Sequence, residues 1–413
     1  MNWLKTNSIN RNYPIRNFRV EEIPVKKLSL CIALALSTSF AHSQSSSPLT
    51  FEAGGAKFTL YGNVDTYLSY QRSSSGTSFT SLQEGAFLRT RLGVMGEKDL
   101  GSGLKAKFTL EQGLKSLSGE QAQTDRLFDR QAWVGLETQY GELRVGRQNT
   151  LIFAPLALYQ DFTYRSLGSL ANSFSFPARL DDDIAYISPR MAGFKIEAHY
   201  SFESDDSAPA TSGPGVATSD NKDVGVAQLG VDYENGPFRV GLAGLEASTP
   251  KNFVNQREAY FYNAYLNYNY GKGKIYLAHT ESNNRAQAGL PAPQAFPLFP
   301  LGGQNDVATR NRDYGISTIS ADYMVTEKLR VGALYSMIND QSGNNDEADG
   351  YALGAYWNAL RDTTLYLIVA GIDNESNGSY QFDGSAPLRK RFGAADVVGE
   401  RLTSVNVGFL YRF

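Results

Sequence analysis

The sequence predicts an all-β fold: a transmembrane antiparallel β-barrel of about 16 strands with an inward-folded third loop. Three observations predict it. Apolar and polar residues alternate with a period of two along most of the chain. The alternating segments run about 9 to 14 residues, the span of tilted membrane strands, whereas soluble strands centre near 5 to 6. Short and long connections take turns between the segments, as in barrels with tight turns on one rim and long loops on the other.

In chain order, residues 25–43 (VKKLSLCIALALSTSFAHS) read as an export leader. Lys26 and Lys27 precede an apolar run from Leu28 to Leu36, and Ala41 and Ser43 fit the −3 and −1 places of a cleavage before Gln44. The run is too short to span a bilayer. Residues 1–24, with Glu21, Glu22 and two prolines, fit no leader and are expected to be an over-extended start ahead of Val25. Residues 44–413 form the barrel domain. The one cysteine, Cys31, lies in the leader, so the mature chain is expected to carry no disulfide, no thiolate metal site and no cofactor. Removing residues 1–43, which hold six Lys/Arg and two Asp/Glu, takes the net charge from −3 to −7. Nothing in that balance favours nucleic acid.

The first strand splits cleanly by parity. Phe58, Leu60, Val64, Leu68 and Tyr70 fall on one face, and Lys57, Thr59, Tyr61, Asn63, Asp65 and Ser69 on the other. The split returns at Phe194, Ile196, Ala198, Tyr200 and Phe202 against Lys195, Glu197, His199, Ser201 and Glu203. It returns at Tyr260, Tyr262, Ala264, Leu266 and Tyr268 against Asn263, Asn267 and Asn269, and once more from Val405 to Phe413. A soluble sandwich shows the same alternation, so segment length and connections decide. Tight links fall at 99–103, 139–141, 190–193, 235–237, 271–273, 326–328 and 361–362. Between them lie long stretches near 73–83, 114–127, 150–180, 204–222, 248–257, 284–312, 341–349 and 374–401.

From Thr150 to Arg179 the alternation stops, yet the stretch is too aromatic for a wet surface loop. Loops of this length without regular structure are uncommon and usually functional. Its apolar content needs a surface, and the flanking strands offer the inside of the barrel.

In FTLYGNVDTYLSY, TRLGVMGEKDLGSGLKAKFTLEQG, FDRQAWVGLETQYGELRVGRQ, DDIAYISPRMAGFKIEAHYSF and VNVGFLYRF, taken in order, the mature chain resembles the Gram-negative trimeric general porins with a sixteen-stranded barrel. The resemblance implies an outer-membrane homotrimer in contact with lipid. It implies water-filled channels that pass small hydrophilic solutes and ions. It gives Phe413 the role of the terminal signal read by the outer-membrane assembly machinery; an ordinary belt aromatic is the alternative. It makes the stretch beginning at Thr150 the loop that narrows the pore, opposite a ladder of arginines.

Parity puts Arg89 and Arg91 on the side of Gly93 and Met95, opposite Leu88, Leu92 and Val94, which points both to the lumen. Arg130 shares parity with Ala132 and Val134, with Trp133 and Gly135 opposite. Arg179 at the loop's exit resembles the last ladder member. Parity leaves the face of Arg147 open, since Leu143 and Val145 share it. The loop offers one acid, Asp161, and adds Arg165. The expected constriction is therefore Arg89, Arg91, Arg130, Asp161, Arg165 and Arg179, with Asp65 or Glu111 as further acids. Guanidinium keeps its charge when crowded, so a modest anion preference is expected despite the net −7.

Each residue has a plainer reading. Arg89 and Arg91 suit a rim, Asp181 to Asp183 suit arginine partners better than a divalent cation, and Glu120 or Asp125 suits solvent as well as a neighbouring subunit. Phe153, Tyr159, Phe162 and Tyr164 suit loop packing better than a sugar slide. With two histidines in the mature chain, His199 and His279, outside any nucleophile motif, no enzyme reading stands. A diffusion porin is the expectation. A substrate-selective porin and a closed structural or adhesive barrel are the alternatives.

Overall fold

The computed structural model describes residues 49–413 other than 124–125, 154–157, 165, 174–177, 203–224, 248–258, 284–312 and 342–344. The leader expected at 25–43 lies outside the described residues, as do Arg165 and Asp125.

Eighteen strands among the described residues join one antiparallel sheet. They are β1 (Leu49–Ala53), β2 (Ala56–Ser73), β3 (Ser78–Glu84), β4 (Arg91–Gly101), β5 (Leu104–Gly113) and β6 (Gln131–Thr138). Next come β7 (Gly141–Asn149), β8 (Arg179–Ile187), β9 (Phe194–Ser201), β10 (Val226–Asn235), β11 (Phe238–Ala247) and β12 (Ala259–Asn269). The last six are β13 (Lys274–Asn283), β14 (Asp313–Met324), β15 (Leu329–Asp340), β16 (Ala348–Asn358), β17 (Thr363–Asn374) and β18 (Arg401–Arg412). From β4 to β18 each strand pairs with its successor, and β18 returns to β2, from Leu402 against Ser73 to Arg412 against Asn63. The sheet therefore closes.

The closed wall has sixteen staves. Strand β1 only extends the edge of β2, opposite Ala56 to Leu60. Strands β3 and β4 line one edge of β2 in succession, β3 along Thr66–Arg72 and β4 along Ala56–Asn63. They are one stave, broken by an excursion over residues 85–90. The stretch near 73–83, expected as a long loop, is thus a tight hairpin over 74–77 followed by β3. Its Ser and Thr made it look loop-like. Alternation of Phe79 and Gln83 with Leu82 puts it in the wall.

Burial runs opposite to that of a soluble sandwich. Asn63, Asp65 and Ser69 are buried on the inner face, while Leu242 and Leu353 are each 62 % exposed on the outer one. No second layer covers the apolar halves among the described residues, which is the arrangement a lipid solvent rewards. Paired aromatics mark both rims of the outer face. Phe194–Tyr233 and Phe238–Tyr268 lie near the tight turns, and Tyr200–Phe202 and Tyr260–Tyr262 near the long loops.

The buried apolar core lies inside the wall. Leu151, Ile152, Phe162, Leu167, Leu170 and Ala171 of the third long loop pack with inward residues such as Ile316, Leu334, Ala352, Ile368 and Ile372. Where this loop lies on the inner face of β14 to β17, apolar residues are interspersed with hydroxyls such as Ser320 and Ser336.

Candidate functional site: a loop-narrowed pore

The third loop is fastened to the inner wall stave by stave. Its backbone leaves water and must find partners, and inward polar side chains supply them. Gln228 on β10 accepts from Leu151 N at 2.8 Å, and Asn267 on β12 donates to Tyr159 O at 2.9 Å. Phe162 N donates to Ser320 Oγ on β14 at 3.0 Å, and Leu170 N to Ser336 Oγ on β15 at 3.0 Å. Gly168, at φ +84°, comes so close to β16 that a Cβ there would sit 2.4 Å from Tyr351 O. Only glycine allows that approach.

The loop aromatics are occupied by wall arginines. Arg179 Cζ lies 4.9 Å from the Phe153 ring, Arg239 Cζ 4.0 Å from Tyr159, and Arg330 Cζ 5.9 Å from Phe162 and 5.8 Å from Tyr164. Tyr159 also stacks on Tyr265 at 4.9 Å. Phe162 is fully buried over Gly332 and Gly354. These contacts agree with the loop-packing reading. Arg239 and Arg330 were not singled out from sequence, although alternation with Gly241 and Ala243, and with Gly332 and Leu334, would have placed both inside.

The excursion over residues 85–90 sets the opposite side. Asp65, wholly buried, accepts from Phe87 N and Leu88 N at 2.7 Å each and from Tyr366 Oη at 2.5 Å. Its own N–H donates to Thr90 Oγ1 at 3.1 Å. Ser166 Oγ of the third loop donates to Ala86 O, so excursion and loop brace each other. Arg89 and Arg91 leave the far end of this turn.

Around Glu111 three arginines gather. Arg130 Nε donates to its Oε1 at 2.6 Å, Arg91 Nη1 lies 3.8 Å from Oε2, and Tyr61 Oη donates to Oε2 at 3.0 Å. Arg179 acts on the same carboxylate electrostatically, and its Nε and Nη2 have no hydrogen-bond partner among the described residues. Arg89 Nη2 donates to Ala122 O in the second long loop at 3.2 Å. Arg91 takes its inward direction from the strand, paired with inward Asn63. Arg130 does not. The face of Ala132 and Val134 is the outer one, Val134 being 63 % and Trp133 7 % exposed. Arg130 reaches Glu111 because it stands just before β6 begins.

Asp161 lies elsewhere. It is 1 % exposed and accepts from Thr163 N at 2.7 Å, Thr163 Oγ1 at 2.5 Å and Ser169 Oγ at 2.7 Å. The loop's described acid thus holds the loop's own turn. Arg147, open by parity, sits in a bulge between Gly146 and Gln148 and bonds Asp129 O at 2.7 Å and Asp181 Oδ1 at 2.6 Å. Arg126 takes Asp181 Oδ2 at 2.9 Å, and Asp183 meets His199 Nδ1 at 2.9 Å, so these two acids of the 181–183 run have side-chain partners. Glu120 stays at the loop surface with Lys115, 2.9 Å away.

A sequence profile described as Gram-negative porin matches residues 30–377. The chain belongs to the Gram-negative porin family. This porin is 27 % identical to an outer membrane porin of Bordetella pertussis over 86 % of its own length and 94 % of that protein. It is 25 % identical to outer membrane porin protein 32 of Delftia acidovorans over 94 % of its length and 100 % of that protein. Its fold is like that of an anion-selective porin from Comamonas acidovorans, with TM-score 0.67 and 22 % identity over 87 % of this chain and 100 % of the other. It is also like a trimer form of OmpT from Vibrio cholerae, with TM-score 0.56 and 17 % identity over 87 % and 100 %. Family and barrel together make this porin an outer-membrane protein whose wall encloses a channel.

Proposed function

We propose that this porin forms a homotrimer of diffusion channels for small hydrophilic solutes and ions, with a preference for anions. The observation that carries the proposal is the charge ratio at the constriction. Arg91, Arg130 and Arg179 surround the carboxylate of Glu111, and Arg89, on which Asp129, Glu84 and Asp383 also act, lies in the field of Arg130. Asp161, the acid among the loop's described residues, accepts from Thr163 and Ser169 within the loop. Guanidinium stays charged in such company. A solute anion meets an excess of positive charge at the narrowest place and passes on, because wall charges bias entry without binding tightly. The anion-selective structural neighbour supports the same sign, and the trimer form of another supports the assembly state.

The test is the reversal potential of the purified porin in planar bilayers under a salt gradient. Anion preference is expected in the wild type, reduced by Arg91→Gln and little changed by Asp161→Asn. A clear cation preference of the wild type would overturn the proposal. The arginines seated on Tyr159, Phe162 and Tyr164 argue against a bare aromatic slide for one solute. Saturable block of conductance by a single sugar would speak for substrate selectivity instead.

A further inference from the structure

The last long loop, residues 375–400, also folds inward. Phe382, Leu388, Phe392 and Val397 are buried with inward Phe79 and Tyr67, and the Phe79 and Phe392 rings lie 4.8 Å apart. Gln83 on β3 uses both ends of its amide on this loop's backbone. Its Oε1 accepts from Arg389 N at 2.7 Å, and its Nε2 donates to Lys390 O at 3.1 Å. Ala386 N donates to Gly85 O at 3.1 Å, and a Cβ at Gly85 would meet Ala386 Cβ at 2.6 Å. The segment is fixed to the inner wall at the long-loop rim.

Its side chains there are Arg389 and Lys390, both exposed. Neither has an ion-pair partner among the described residues, and Lys390 Nζ rides 4.8 Å over the Phe79 ring. Nearby acids are engaged elsewhere. Asp383 holds Arg391 at 3.3 Å, Glu84 accepts from Ser116 Oγ at 2.9 Å and Leu117 N at 3.2 Å, and Glu120 holds Lys115 at 2.9 Å. Two cations without an ion-pair contact among the described residues therefore stand at the mouth, with Glu120 acting on Arg389 only weakly and from a distance.

We propose that Arg389 and Lys390 form an outer station that gathers small inorganic and carboxylate anions and delivers them to the constriction. The proposal rests on the anion-preferring reading for its consequence, though not for its test. The station stands beside Gln83, the register partner of Tyr67, whereas Arg91 pairs with Asn63. Four residues along β2 separate the two levels, roughly 13 Å at ~3.3 Å per residue. The Debye length is about 10 Å at 0.1 M salt and about 3 Å at 1 M. At low salt the two fields overlap along the pore; at high salt the outer one ends before the constriction begins.

The experiment compares reversal potentials of wild type, R389Q/K390Q and R91Q, as full-length channels in planar bilayers, at about 0.1 M and about 1 M KCl. The double variant changes only exposed side chains and keeps the backbone bonds to Gln83. Its anion-to-cation permeability ratio is expected to fall about twofold at the lower salt and to equal wild type at 1 M, where screening is complete. R91Q is expected to lower the ratio at both. A double variant indistinguishable from wild type at low salt overturns the station, and so does an equal fall at both salts, which would mean a disturbed constriction. A wild type without anion preference, whose double variant still shifts toward cations at low salt, would refute the constriction reading and keep the station.

Discussion

Glu111 is the residue on which the proposed charge balance of the constriction rests. Among the described residues it is the one acid seated directly among Arg91, Arg130 and Arg179, and its bond to Arg130 is buried on both sides. Removing one partner of such a pair leaves charge without compensation, which costs far more than the pair contributes net. Glu111→Gln is therefore expected to do two things at once. Anion preference should rise in reversal-potential measurements, and the urea midpoint of the folded protein should fall by the equivalent of about 3 kcal/mol. A variant that keeps wild-type selectivity would show that conducting ions do not pass near Glu111.

At the scale of the element, the third loop behaves as part of the wall. Its contact with β16 rests on Gly168, where a Cβ would also lie 3.0 Å from Ala352 Cβ and 2.9 Å from Ala370 Cβ. Gly168→Ala meets both a left-handed backbone and backbone oxygen, and neither yields cheaply. Expected is a loop lifted into the lumen, read as lower single-channel conductance with more open-channel noise. The last loop carries a pH-dependent tether outside the membrane. Asp396 accepts from Ser75 Oγ and Thr77 Oγ1 at 2.7 Å each, and these bonds hold its carboxyl below the usual range. A lowered folded pKa means the tether is whole above the ordinary Asp value and is lost as pH falls through the lower one. The protection of the Ser75–Thr77 amides, their exchange measured against the intrinsic rate at each pH, should stay constant from neutrality down to the ordinary Asp range and fall only below about pH 4.

At the scale of the whole molecule, closure is a matter of one seam. Phe413 N donates to Gly62 O at 3.1 Å and Gly62 N to Phe413 O at 3.0 Å, so the last residue completes the pairing of β18 with β2. Gly62 is open for the Phe413 ring, which a Cβ would meet at 2.5 Å. Deleting Phe413 removes two seam bonds together with the proposed assembly signal. Less of the proposed heat-resistant trimer in the outer membrane and more unassembled chain in the periplasm are expected. Restoring the chain with a terminal Tyr should rescue both, whereas Ala should not. Equal trimer yield from the deletion would assign Phe413 to the aromatic belt alone.

The sequence by itself determined the barrel, its sixteen-stave count to within the reading of one hairpin, which rim carries the long loops, and the inward direction of Arg91. All of these follow from a period of two, which is a property of neighbours in the chain. Tertiary structure alone decided the rest. Arg130 enters from the wrong parity because it precedes its strand, and Arg147 turns at a bulge that parity does not register. Whether Asp161 faces the arginines or its own loop depends on Thr163 and Ser169. Where that loop lies depends on Ser320 and Ser336, more than 150 residues away along the chain. The inward fold of the last loop depends in the same way on Gln83 and Phe79, some 300 residues earlier. A strand writes its two faces into adjacent residues, whereas a docked loop is placed by surfaces that meet only once the wall has closed.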